Sequence, residues 1–270
     1  MRTRGLHHPA IFLAAVPLLA AACSAGASPT APPPAASAGG GTAMALQAGG
    51  LQNGATVTDN SVALQVTPSG YQSSCAQAGK PNKDGVGHYH VELDHALVNM
   101  YCTPTAAISM QNVTPGKHNL IVLPARNDHE EIKDSAVSLD FTYQPSNPLA
   151  EIKAEANPGT PAINVVSPAA GSTVSGDFTV TVQISNFEVS EPLFGKANVA
   201  GYGHWHLNVD TTTQGMMGMA TMLGMSGTDT FQASTEGLSP GKHMFFALLV
   251  DDQHAPLSPA VEAQIELVVQ

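Results

Sequence analysis

Basic residues are scarce in this chain. Lys and Arg together number 10 against 21 Asp and Glu, a formal net charge of -11. That balance excludes the electrostatic footprint of a DNA- or RNA-binding protein, so no nucleic-acid partner is expected. Charge of either sign is sparse, at 11% of residues. No apolar run after the first residues is long enough to span a bilayer. Cysteine occurs only three times, and never with the C-x-x-C spacing of a zinc ribbon or redox motif. No nucleophile–base pair and no phosphate loop stands out, which argues against an enzyme. A 3.6-residue apolar period is lacking as well. What is abundant is Gly (25) and Pro (20), the punctuation of a turn-rich β protein.

The chain opens with Arg2 and Arg4, then "IFLAAVPLLAAA" (11–22), an apolar stretch too short to cross a membrane. Small residues precede Cys23, a pattern similar to a bacterial lipobox. The expectation is a signal peptide over 1–22 and a lipidated Cys23 holding an exported protein to the cell-envelope membrane; an ordinary cleaved secretory signal is the alternative. The next segment, 23–51, is rich in Ala, Pro, Ser and Gly and reads as a flexible, disordered tether. With Cys23 lipidated, Cys75 and Cys102 are left to form a disulfide in an oxidising compartment; paired soft metal ligands are the weaker alternative.

The remainder is written twice. "GATVTDNSVALQV" from Gly54 parallels "GSTVSGDFTVTVQI" from Gly171. "GHYHVELD" (87–94) parallels "GHWHLNVD" (203–210), and "TPGKHNLIVL" (114–123) parallels "SPGKHMFFALL" (239–249). Apolar residues alternate with period two, as in Phe178, Val180, Val182 and Ile184, so these are half-buried strands. The expected fold is all-β: two tandem immunoglobulin-like β-sandwich domains, 52–145 and 161–270, joined by a linker over 146–160. The second copy carries nine extra residues, placed around "GMMGMATMLGM" (215–225), which holds Met216, Met217, Met219, Met222 and Met225.

Eight of the nine His after the leader occupy matched positions: His88 with His204, His90 with His206, His118 with His243, and His129 with His254. On a strand, Tyr89, Val91 and Leu93 share one face and His88, His90, Glu92 and Asp94 the other; Trp205, Leu207 and Val209 oppose His204, His206, Asn208 and Asp210. The apolar face belongs to the core. The two His point away from it with Cα atoms ~6.6 Å apart, close enough to share one ion. If the strand after "PGKH" returns antiparallel beside the His-x-His strand, its far end carries His129 to His88 and His90, and His254 to His204 and His206. Three imidazoles with an open position suit copper or zinc. His118 and His243 would then lie nearer Asp94 and Asp210, as structural residues or as partners orienting a ligand. The Met segment reads as a partner-contact surface or a source of soft ligands.

At these residues the chain resembles an uncharacterised bacterial family of exported domains of unknown function, with the pattern Ser-Pro-x-x-Gly-x-x-Val, Gly-His-His-His-Leu-x-x-Asp, Pro-Gly-x-His and Asp-x-x-His-x-Pro. "SPAAGSTV", "GHWHLNVD", "SPGKH" and "DDQHAPL" carry it across almost all of 161–270, and "GATV", "GHYHVELD", "TPGKH" and "NDHEEI" carry it more loosely before. Tyr89 and Trp205 replace the middle His of the family triplet, and the trailing Pro is missing after His129. The resemblance implies an exported immunoglobulin-like domain with a shared His constellation and no known reaction. The expected function is a non-catalytic, membrane-anchored metal-binding protein. A structural or adhesion module contacting a protein partner through the Met segment is the alternative, and a copper redox protein a more distant one.

Overall fold

The computed structural model describes residues 43–154 and 159–270; the expected signal peptide, Cys23 and most of the expected tether lie outside them. The first half holds nine strands: β1 (Ala45–Gly49), β2 (Ala55–Val57), β3 (Ser61–Ser69), β4 (Gln72–Ser73), β5 (Val86–Leu93), β6 (Ala96–Tyr101), β7 (Thr105–Ser109), β8 (Gly116–Ala125) and β9 (Val137–Tyr143). The second repeats the series: β10 (Ala162–Ser167), β11 (Thr173–Val174), β12 (Asp177–Ser185), β13 (Glu188–Val189), β14 (Tyr202–Val209), β15 (Met222–Ser226), β16 (Thr230–Ser234), β17 (Gly241–Val250) and β18 (Glu262–Val269). Among the described residues no helix is long and apolar enough to cross a membrane.

In the first half a three-stranded sheet, β1-β3-β7, faces a larger one ordered β2-β9-β8-β5-β4, with β6 also on β5. The second half has β10-β12-β16 against β11-β18-β17-β14-β13, with β15 on β14. Both are immunoglobulin-like β-sandwiches. Their cores come from facing alternations. Val62, Leu64 and Val66 of β3 meet Tyr89, Val91 and Leu93 of β5 and Leu120 and Val122 of β8. Val180 and Val182 of β12 meet Trp205, Leu207 and Val209 of β14. Trp205 and Tyr89 are fully enclosed, and each satisfies its polar tip on a backbone carbonyl, Trp205 Nε1 on Thr228 (2.7 Å) and Tyr89 Oη on Thr103 (2.9 Å).

One boundary differs from the sequence reading. The 23–51 span expected to be a tether contains β1, which pairs with β3 from Ala45↔Ser69 to Gly49↔Gln65. Leu46 and Leu51 are buried in the first core. Two apolar anchors and a full strand ladder outweigh the Ala/Gly composition that suggested disorder. The 146–160 linker is also tied down where described: Gln111 donates to the Ala150 carbonyl and Asn112 to that of Ile152, both at 2.8 Å. Cys75 and Cys102 form a disulfide within the first half.

The two sandwiches belong to one compact unit spanning 40–270. Lys80 of the first donates to the Ser234 carbonyl (2.8 Å) and the Glu236 carbonyl (2.5 Å) of the second, and Gln77 donates to the Glu236 carboxylate (2.7 Å).

Candidate metal centres

The antiparallel neighbour expected of each His-x-His strand is present. β5 pairs with β8 so that His88 sits opposite Ala125 and His90 opposite Leu123, and β14 pairs with β17 so that His204 sits opposite Val250 and His206 opposite Leu248. A tight turn follows each return strand. It is closed by His129 N–H to the Arg126 carbonyl (2.9 Å) and by His254 N–H to the Asp251 carbonyl (3.1 Å). The third histidine stands in the left-handed region in both halves, φ 64° at His129 and 66° at His254, a conformation that β-carbon-bearing residues adopt at a cost. The glycine opening each stretch is a packing requirement. A Cβ at Gly87 would strike the Ala125 carbonyl, and one at Gly203 the Val250 carbonyl.

Three ring nitrogens converge in each half. His88 Nε2 lies 3.0 Å from His90 Nε2 and 3.1 Å from His129 Nδ1, and the last two are 3.3 Å apart. In the second half His204 Nε2 is 3.1 Å from His206 Nε2 and 2.8 Å from His254 Nδ1, with 3.3 Å between His206 and His254. An ion holding such a set through bonds of ~2.0–2.1 Å would see nitrogen–metal–nitrogen angles of about 84–111°. Both triads can hold a metal ion.

Hydrogen bonds outside the first triad fix its tautomers. His90 Nδ1 donates to Glu131 Oε1 (3.0 Å), and His129 Nε2 donates to the Met222 carbonyl (2.7 Å). A neutral imidazole that donates from one nitrogen keeps a lone pair on the other. His90 Nε2 and His129 Nδ1 thus direct lone pairs into the same space at 3.3 Å, and a single proton on His88 Nε2 reaches them only as a shared, three-centre donor. A cation at the centre satisfies all three. In the second half His254 Nε2 donates to the Leu97 carbonyl (2.8 Å), leaving its Nδ1 inward. Each third histidine is therefore oriented by a backbone carbonyl of the opposite half.

Burial disfavours the charged form of five of these rings. It lowers His129 to about 3 and His254 to about 4, and it carries His88, His204 and His206 well below the ordinary imidazole value, with neighbouring imidazoles adding to the effect. Neutral imidazole is the metal-binding form. The hydrogen bond from His90 holds the Glu131 carboxyl below its ordinary value, although burial opposes it.

The two centres differ in cover. The Phe194 ring lies over His204 with centroids 4.1 Å apart, where the first half has Ala78 in the matched position. His204, His206 and His254 are all at most 2% exposed. Beside the first centre, a cavity of about 480 Å³ is lined in part by His129, Glu131, Lys133 and Met219.

The face carrying the His-x-His pairs was expected to point away from a core, and it does leave its own sandwich core. It does not reach solvent: His88 and His204 are 0% exposed. His118 and His243 serve turns instead. His118 Nδ1 bonds Asp94 (2.7 Å) and Nε2 the Thr114 carbonyl (2.8 Å); His243 bonds Asp210 (2.8 Å) and the Ser239 carbonyl (2.8 Å). Asp94 and Asp210 orient these rings rather than the triads. Burial works against a charge on His243, but its bond to Asp210 outweighs that and raises its pKa.

The methionine segment lies partly inside the protein. Met219 and Met222 are buried, and Met225 packs against the core of the first half; the side chains of Met216 and Met217 lie outside the described structure. Sequence reasoning did not single out Glu131, Phe194, or the carbonyls of Leu97 and Met222. Glu131 follows His129 by two residues and was within reach of it, whereas a backbone carbonyl has no residue signature.

No family model matches the chain, and no curated protein matches it. Solved structures that align with it include fibronectin(III)-like modules of Clostridium thermocellum CbhA, at 12% identity and TM-score 0.26 over 83% of this chain and 94% of that one. An endo-β-1,4-mannanase from Thermotoga petrophila aligns at 12% identity and TM-score 0.26, over 42% of this chain and 20% of the other. Three N-terminal domains of the bacteriophage RB49 highly immunogenic outer capsid protein align at 13% identity and TM-score 0.22, over 84% and 69%.

Proposed function

We propose that this protein is a metal-binding lipoprotein of the bacterial cell envelope that takes up copper or zinc, one ion per half, without catalysing a reaction. The observation that carries the reading is the convergence of three imidazoles twice over, with spacings of 2.8–3.3 Å. All-nitrogen donor sets of this kind suit Cu(II) and Zn(II) rather than Mg²⁺ or Ca²⁺. The near-complete enclosure of the second triad supports binding over turnover, since a substrate would find no face of that ion. The arginines and short apolar stretch before Cys23 support export and lipidation, and the resemblance to exported domains of unknown function agrees with export.

Metal titration of a soluble form beginning at residue 43 tests the reading. Two ions of Zn²⁺ or Cu²⁺ per chain are expected, each bound more tightly than ~10 μM, about -7 kcal/mol. Binding should be lost when His88, His90, His204 and His206 are replaced together by Ala. Weaker binding of both metals, or binding indifferent to those replacements, overturns it. Lipidation is tested separately, by palmitate incorporation that disappears in Cys23→Ala.

A further inference from the structure

The His129 and His254 hydrogen bonds cross between the halves in a reciprocal manner. β6 and β15 are matched strands, and in register Leu97 opposite Glu92 corresponds to Met222 opposite Asn208. The carbonyls of these two residues receive the Nε2 protons of the third histidines, each from the other half. Beside each carbonyl stands a glycine. Gly79 lies against the Met222 carbonyl and Gly195 against that of Leu97, both at φ 70°, so close that a Cβ on either would overlap the opposite backbone. Their own amides donate to Asn127 (2.6 Å) and Asp252 (2.7 Å), each two residues before the third histidine of its half. One short chain of contacts thus joins the glycine, the opposite strand and the ligand turn, and it occurs twice.

We infer that each triad is completed by both halves: the opposite carbonyl fixes the third histidine so that Nδ1, not Nε2, meets the metal, and Gly79 and Gly195 are the positioning residues that let the halves approach closely enough for this. The inference rests on the metal-binding reading above. Its chemical basis is general. A carbonyl that accepts from one imidazole nitrogen sets the tautomer and raises the basicity of the other, and losing such a partner weakens metal affinity about 10–100-fold.

Two measurements on the soluble protein test it. Long-range proton–nitrogen correlation spectra of the Zn²⁺-loaded protein report which imidazole nitrogen is metallated. His129 and His254 are expected to bind through Nδ1, and His88, His90, His204 and His206 through Nε2. Calorimetric titration with Zn²⁺ and with Cu²⁺ then compares Gly79→Ala with Gly54→Ala, and Gly195→Ala with Gly171→Ala. Gly54 and Gly171 also have positive φ, 80° and 76°, but face open space, so they carry the same backbone strain with no wedge. Gly79→Ala should weaken one site about tenfold or more, Gly195→Ala should weaken the other, and the two controls should bind as the parent does. Metallation of His129 and His254 at Nε2, or equal affinities for wedge and control variants, overturns the inference while leaving the metal-binding reading intact. Failure of the parent protein to bind either metal removes both.

Discussion

A partner on the second nitrogen of a histidine orients the ring and tunes its ligating nitrogen, and the six triad rings are supplied with such partners unevenly. His90 is held by a buried carboxylate, Glu131, whereas Pro256 stands at the matched place in the second half and offers His206 nothing of the kind. A carboxylate on the far nitrogen makes the ligating nitrogen more basic. Glu131→Gln keeps the size and an acceptor but removes the charge. It should weaken zinc binding at the first triad about tenfold and leave the second unchanged, which a stepwise calorimetric titration resolves. Among the described residues His88 Nδ1 and His204 Nδ1 have no hydrogen-bond partner, so the first histidine of each pair is positioned by its strand and by packing.

Among the elements, β5 and β14 carry most of the site because a strand with two occupied faces serves two purposes. Tyr89, Val91 and Leu93 build a core while His88 and His90 build a centre, and one slip of register would exchange them. The strands β4 and β6 flanking β5 are clamped by the Cys75–Cys102 disulfide, which closes a loop with a sequence separation of 27. Replacing both cysteines by serine should cost about 3 kcal/mol in chemical denaturation. Metal stoichiometry should survive, since neither sulfur belongs to a triad.

Much of this level was legible in the sequence. Period-two alternation separated the two faces of "HYHVELD", and the antiparallel return brought His129 and His254 to the right end. The cover over the His face was not foreseen, although a trace of it exists. "LIVLPA" (120–125) and "FFALLV" (245–250) are continuous rather than alternating apolar runs, and their last four residues are buried in each case. A strand end hydrophobic on both faces is one that something else covers. β1 escaped notice for the opposite reason: Leu46 alternates within Ala- and Gly-rich sequence whose composition looks like a tether.

At the scale of the whole molecule, the triads are expected to make stability depend on pH and on metal. In the unfolded chain imidazoles titrate near 6.5. In the folded protein His129 titrates at about 3 and His254 at about 4. Between these values the unfolded chain binds more protons, so stability is whole above pH ~6.5 and is lost as pH falls through the window toward 3. Each such histidine contributes at most about 1.4 kcal/mol per pH unit there. Urea denaturation of metal-free protein from pH 7.5 to 4 should show the fall; a flat profile contradicts the burial of His129 and His254 as neutral rings. Removing metal should act in the same direction. At a free ion concentration of 100 Kd each site contributes about 2.7 kcal/mol. For a chain of this size that is about 5–10 °C of melting temperature per site, to be read in thermal scans with and without a chelator.

The reciprocal contact through Leu97, Met222, Gly79 and Gly195 has the form of an isologous interface, the kind made by a two-fold dimer, here closed inside one polypeptide. In a dimer of identical chains every substitution is made twice, and any change at the shared surface must suit both sides at once. Two copies on one chain are free of that restriction. Phe194 opposite Ala78, Asp252 opposite Asn127 and Pro256 opposite Glu131 are where the copies have used this freedom, leaving one centre sealed and the other beside an open cavity. A single polypeptide thereby sets two candidate metal centres in unequal surroundings, which a symmetric assembly of the same parts could not.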